Sequence, residues 1–306
     1  MKVGLQISSF TWPGGDARIG ETLAAIVRTA DDAGFDSIWV MDHFIQIGSV
    51  GRPEEPMLEG MTALGFMAAH STRARLGLMV GGIHYRQVGL WLKAVTTLDV
   101  LSGGRAWFGI GAAWNEQESR ALGFPMPPLG ERFEMLEEAL RVVRLGWQDE
   151  LGSQTAFEGR HYRPRHLLNS PQALSRPHPP ILIGGGGERR TLRLVAQHGD
   201  ATNVFGTDPD QLRHKYGVLR RHCEAVGRDY DSIEKTLLTQ VSITSDGARH
   251  SLTPDQLVER LGRTTEAGAQ HAIFSLRDVH ELTNLELIGS HVIPQLRGLG
   301  QPSPVS

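Results

Sequence analysis

Short runs of apolar β-forming residues recur along this chain, and each is followed by a segment whose apolar residues fall three and four apart. The runs lie at Val3 to Ser8, Ser37 to Met41, Leu76 to Val80, Arg105 to Ile110, Ile181 to Gly184, Asp200 to Phe205, Thr236 to Thr244 and His271 to Ser275. Continuous rather than alternating apolar character marks strands buried on both faces, as in a parallel sheet covered by helices. Eight strand–helix units predict an α/β fold of the closed (β/α)8 or TIM-barrel class, which occupies about 250 residues as one domain. An open doubly wound sheet is the competing arrangement. Residues 1–306 therefore read as a single domain. The alternation breaks once, between helix 4 and strand 5, where an insert at about 150–180 contains Phe157 to Tyr162, a predicted β-hairpin, followed by extended chain.

Strand five runs directly into Gly184, Gly185, Gly186 and Gly187, and a helical pattern follows through Leu192, Leu194 and Val195. Amides in such a turn and in the first helical turn have no intrahelical acceptor, and the helix dipole adds partial positive charge. Without Cβ atoms an anion can approach the backbone closely. A tight turn alone would need one or two glycines; four together predict a loop that holds a phosphate.

In a barrel of this class the chemistry lies at the carboxyl ends of the strands. Those ends carry Ser8 and Ser9, Asp42 and His43, then Val80, Gly81 and Gly82, then Gly111, Ala112, Trp114 and Asn115, then the four glycines, and Asn203. Polar residues and glycines at the ends of several strands suit a large planar ligand with a phosphate tail. His43 is the candidate for proton transfer, because an imidazole titrates near neutrality. Asp42, its neighbour, points to the opposite face if the strand continues, and so need not orient His43. Asn115 is a helix N-cap whether or not it also touches a ligand. Trp114 either stacks on a ring system or closes the mouth, and Asn203 either bonds a ligand or holds a loop. Trp12, Trp114 and Tyr85 at the mouth predict a largely apolar small-molecule substrate, with Ser9 and Trp12 as its contacts.

Net charge is −3 with both signs interspersed, and no basic block suits nucleic acid. The single cysteine, Cys223, cannot form an internal disulfide and reads as a buried side chain. No apolar stretch reaches the ~20 residues of a membrane helix, and no secretory signal precedes the first strand, so no membrane association and a cytoplasmic location are expected. Thirteen histidines are present without metal-ligand spacing, so no metal is expected; His161, His166 and His178 are expected to face solvent.

Taken together, the segments Ser37 to Phe44, Leu76 to Val80, Arg105 to Glu116, Phe157 to Tyr162 and Pro180 to Gly187 resemble the bacterial-luciferase-like flavin and deazaflavin oxidoreductases, and most closely the branch dependent on coenzyme F420. The similarity spans nearly the whole chain. It implies a barrel with the insert before strand five and a cofactor ring in the mouth. Asp42, Met79, Val80, Gly81, Gly111, Ala112, Trp114, Asn115 and Asn203 would surround that ring, and the phosphate would rest on Gly184 to Gly187. It also implies a non-proline cis peptide at Met79-Val80, proton exchange between His43 and substrate, and a homodimer. The implied activity is hydride transfer between F420 and a small organic substrate. The alternative within the same architecture is an FMN-dependent monooxygenase that uses reduced flavin and O2.

Overall fold

The computed structural model describes residues 1–148 and 155–299. Its strands are β1 (Lys2–Ile7), β2 (Ser37–Val40), β3 (Arg75–Leu78), β4 (Gly81–Gly82), β5 (Phe108–Gly111), β6 (Ile181–Gly184), β7 (Ala201–Phe205), β8 (Glu234–Val241) and β9 (His271–Leu276). All pair in parallel in one sheet of order β3-β2-β1-β9-β8-β7-β6-β5-β4. The third barrel strand comes in two pieces, β3 and β4, separated by a cis peptide at Met79-Val80, as the resemblance implied. A bridge from Leu76 to Ala106 and the pairing of Gly81 with Ile110 join these pieces to the fourth barrel strand and close the cylinder. The expected (β/α)8 barrel is therefore the observed fold.

The helices are α1 (Ile19–Ala33), α2 (Gly60–Ala69), α3 (Val88–Leu101), α4 (Glu116–Leu122), α5 (Leu129–Gln148), α6 (Thr191–His198), α7 (Pro209–Val226), α8 (Pro254–Glu266), α9 (Leu282–Leu287) and α10 (Ile293–Gly298). Their starts follow local chemistry. Asp208 caps α7, with Pro209 at the first position, where a missing N–H costs no bond. Thr253 and Gln256 form a reciprocal capping box on α8. Pro294 falls in the first turn of α10, where it breaks no helical bond, and a π-turn over Ile288–Val292 links that helix to α9.

Two apolar cores result. The larger fills the space between sheet and helices. The smaller lies inside the barrel and includes Trp39, Trp107, Met79 and Leu182. The Trp39 and Trp107 rings pack with centroids 5.7 Å apart. Gly77 makes room for them, since a Cβ there would lie 2.7 Å from Trp39.

Residues 149–154 of the insert, and 300–306, lie outside the described residues. From Thr155 to Pro180 the chain is irregular, which corrects the predicted hairpin. Phe157 N–H donates to Pro164 O and Gly159 N–H to Tyr162 O, both at 3.0 Å, but no strand ladder forms. Glu138 on α5 captures the amides of Arg160, His161 and Tyr162 instead, and Pro164, Pro171, Pro177, Pro179 and Pro180 supply no donors. Asp99 on α3 fixes the other end by accepting from the amides of Leu174 and Ser175. Of the insert histidines, His166 is exposed and His161 only partly so. His178 is buried and stacks on Trp147 at 5.9 Å, so an apolar partner overrode the solvent exposure expected of it. Cys223 is buried, and that burial pushes its thiol up. No helix among the described residues is long and apolar enough to cross a membrane.

Candidate active site

The carboxyl ends of the strands surround a cavity of about 750 Å³, within the usual range for small-molecule sites. Its walls are largely apolar, with Ile47, Val50, Leu129, Phe133 and Phe205 toward the mouth, and no Lys or Arg is among the described residues that line it. Gln6, Ser8 and Ser275 supply polar atoms; the Ser8 and Ser275 hydroxyls lie 3.0 Å apart.

His43 lies just past the end of β2 and lines this cavity. Its Nδ1 is 2.8 Å from Glu118 Oε2, and the Glu118 side chain is wholly buried. The Tyr85 hydroxyl donates to the same oxygen, while the amides of Phe44 and Ile45 donate to Oε1. Burial alone would raise the Glu118 carboxyl, but the bonds from His43, Tyr85 and the Phe44 amide outweigh it and hold it below its ordinary value. An ionised carboxylate only accepts, so Nδ1 must carry the hydrogen and the neutral ring keeps its lone pair on Nε2. Glu118 is placed by Asn115, which caps α4 and accepts from the Glu118 amide at 3.2 Å. Trp114, 63% exposed, meets the His43 ring edge to face at 5.5 Å on the cavity rim.

Asp42 is buried, and its bonds go to Arg86 and Gly82 rather than to His43. Arg86 donates to its two oxygens at 2.7 and 2.8 Å, and the Gly82 amide donates at 3.0 Å. Arg86 also pairs with Glu59 and lies 4.5 Å from the centroid of the Trp91 ring. This ion pair ties the end of β2 to β4 and the start of α3.

Glycines form the cavity floor around Val80. A Cβ on Gly184 would lie 2.7 Å from Val80 Cγ1, and one on Gly111 would lie 3.0 Å from Cγ2. The Gly185 amide donates to Asn203 O at 3.0 Å, which pins the turn to β7. The amides of Gly186 and Gly187 meet no protein acceptor among the described residues. A flat ring system on the Val80 floor, with an anionic tail at this turn, fits such a cavity.

The luciferase-like monooxygenase family model matches residues 1–274. The chain belongs to that family. It is 30% identical over 234 residues to an F420-dependent glucose-6-phosphate dehydrogenase of Kineococcus radiotolerans, a match covering 74% of this chain and 65% of that relative. It is 25% identical to the protein of the same description from Nakamurella multipartita, over 90% of this chain and 93% of the relative. Among solved structures, the coenzyme F420-dependent tetrahydromethanopterin reductase of Methanopyrus kandleri superposes with a TM-score of 0.79 at 17% identity, over 96% of this chain and 99% of that one. The monooxygenase RslO1 of Streptomyces bottropensis superposes with 0.80 at 19%, over 96% and 99%. As a member of this family the protein is an oxidoreductase.

Most of the residues singled out in this luciferase-like chain line the cavity: Asp42, His43, Met79, Val80, Gly81, Gly111, Ala112, Trp114, Gly184, Gly185, Gly187 and Asn203. Asn115 does not, because its side chain is spent on the α4 cap. Gly186 is in the turn but outside the lining. Ser9 and Trp12, expected to contact substrate, are also absent from the lining. Strand alternation sends Gln6 and Ser8 inward, Ser9 Oγ accepts from the Thr11 amide, and Trp12 is buried against Phe10 in the outer core. Asn203 Nδ2 donates to Thr236 Oγ1 on the adjacent strand β8, so its side chain ties β7 to β8 at the cavity wall rather than holding a loop. Sequence reading missed Glu118, Arg86 and Gln6; it placed Ser8 at a strand end but gave the substrate contact to Ser9.

Proposed function

We propose that this protein is an F420-dependent oxidoreductase acting on a small, uncharged and largely apolar substrate. The observation that carries the reading is that His43 and the glycine turn line one apolar cavity. The F420-dependent relatives favour the deazaflavin over FMN. When bound, the coenzyme supplies or accepts a hydride. The turn at Gly184 to Gly187 would hold its phosphate through main-chain amides, and Val80 would support its ring.

The residues of the chain supply orientation and the proton. His43 Nε2, with its lone pair directed away from Glu118, takes a proton from a substrate hydroxyl or amine when the substrate is oxidised and returns it when the substrate is reduced. The Glu118 carboxylate stabilises the imidazolium formed in between, as an oriented general base requires. Apolar walls and the absence of Lys or Arg from the described lining speak against a sugar phosphate as substrate. A homodimer belongs to the same proposal; Phe66 on α2 and Leu90 on α3 are exposed apolar side chains that a second copy would cover.

Fluorescence quenching on titration with F420 tests the cofactor. Saturable quenching, with FMN lost on gel filtration, is the expected result. Retention of FMN with substrate-dependent O2 uptake would instead establish the monooxygenase. Unchanged turnover in His43→Ala would remove the proton role from that residue.

A further inference from the structure

We propose that the opposite end of the barrel holds a second ligand site, which takes a small dianion such as phosphate or a phosphate monoester. A cavity of about 320 Å³ opens there, at the amino-terminal ends of β1, β3, β8 and β9, and shares no lining residue with the active-site cavity. Four cationic side chains line it: Lys2, Arg73, Arg75 and Arg297. The carboxylates are Asp36 and Glu234.

Both carboxylates are already engaged. Lys2 Nζ pairs with Glu234 at 2.9 Å, and the other Glu234 oxygen meets His271 Nδ1 at 2.9 Å. Arg297 pairs with Asp36 at 3.3 Å, and the second Asp36 oxygen accepts from the Val3 amide at 2.8 Å. Arg73 and Arg75 then remain without an ion pair among the described residues. Arg73 donates only to the Asp31 carbonyl, while the Asp31 carboxylate accepts from the Thr72, Arg73 and Ala74 amides. Arg75 Nη1 is buried and has no acceptor.

A second, uncharged donor points the same way. Trp107, only 6% exposed, also lines this cavity, and its indole Nε1 is buried without an acceptor. Buried donors and charges left unmatched are costly, and guanidinium groups match phosphate oxygens in a fork. Arg75, with a buried Nη1 that lacks an acceptor, supplies the demand for an anion, and the exposed Arg73 beside it, also without an ion pair among the described residues, suits that anion to a charge near −2. Arg73 is exposed, which leaves the site open to solvent.

Calorimetric titration with inorganic phosphate, at ionic strength held constant with chloride, tests this. The wild-type protein is expected to bind phosphate saturably. Arg75→Gln should weaken that binding by about tenfold or more, the loss of a fork of charge-assisted bonds. Gly186→Asp, which puts a carboxylate into the glycine turn, should leave it intact, and this separates the two phosphate-accepting regions. Acetate, with a single charge, should bind more weakly than phosphate. Absence of saturable binding would overturn the proposal, as would binding lost in Gly186→Asp but kept in Arg75→Gln. If Arg75→Gln does not fold, Arg73→Gln decides: weakened phosphate binding supports the site and unchanged binding rejects it.

Discussion

His43 Nδ1 lies 2.8 Å from a Glu118 carboxylate that also accepts from Tyr85, Phe44 and Ile45. With all four lone-pair directions of the carboxylate taken, His43 has one tautomer and one orientation, and Glu118 acts as a positioning residue. Glu118→Gln places an amide NH2 against two of those donors. We expect kcat to fall by about 10²-fold, within the range of oriented acid–base catalysis, while cofactor affinity and KM change little. Tyr85→Phe leaves three donors in place and should cost less. A fall in F420 affinity that matches the fall in kcat would show that Glu118 shapes the cavity rather than the imidazole.

The four glycines of the turn should not be equivalent. Gly185 has φ of 113°, where an L side chain is strained, so Gly185→Ala should destabilise the protein by about 1–2 kcal/mol. A Cβ on Gly186 would meet only Lys215 Cε, at 3.7 Å. Gly186→Ala should therefore melt as the wild type does. It should nevertheless bind F420 more weakly if the free amide beside it holds the phosphate. Melting curves and quenching titrations on the two variants separate strain from lost binding.

The barrel was legible because an apolar strand period and a helical period alternate over most of the chain, and tertiary packing had little to override. The glycine turn was legible for a similar reason, since conformation is written into residue type there. Glu118 was not. Asn115 followed three residues later by a glutamate reads as a helix-capping signature, which accounts for the residue locally. Its side chain instead leaves the helix and crosses to the loop after β2. The ion pair of Asp42 with Arg86, 44 residues apart, is likewise invisible in spacing. Ser9 and Trp12 were misplaced because the strand alternation, continued one step past β1, sends Ser8 inward and Ser9 away.

Acid should weaken the fold in a window set by one buried histidine, His84, and one half-buried one, His198. Burial, with Arg132 nearby, pushes His84 down to about 4; burial, with Arg144 nearby, does the same to His198. In the unfolded chain both return to about 6.5. Between those values the unfolded state binds protons that the folded state refuses, so stability rises with pH through the window and is lost as pH falls. Carboxylates held below their ordinary value, Glu118 among them, act at lower pH. Urea midpoints measured from pH 7 to pH 5 should fall in the wild type. His84→Gln should flatten the slope by up to about one proton. An unchanged slope would mean that His84 gains its proton in the folded state.

Asp42 and Arg86 test whether the floor of the active site is held electrostatically. Both side chains are nearly inaccessible, at 2% and 7% exposure. Removing one member of such a pair costs about 3–5 kcal/mol, because the other charge stays buried, whereas replacing both by apolar groups of similar volume is often nearly neutral. Here Glu59 retains a bond to Arg86, so Asp42→Asn should fall at the lower end of that range. Asp42→Leu combined with Arg86→Met should recover part of the stability. It should not recover F420 binding, because the Gly82 amide loses its acceptor and β4 its tether to β2. Urea denaturation and quenching titration on both variants and the wild type give both quantities. If the double variant restores binding along with stability, the ion pair serves only the fold.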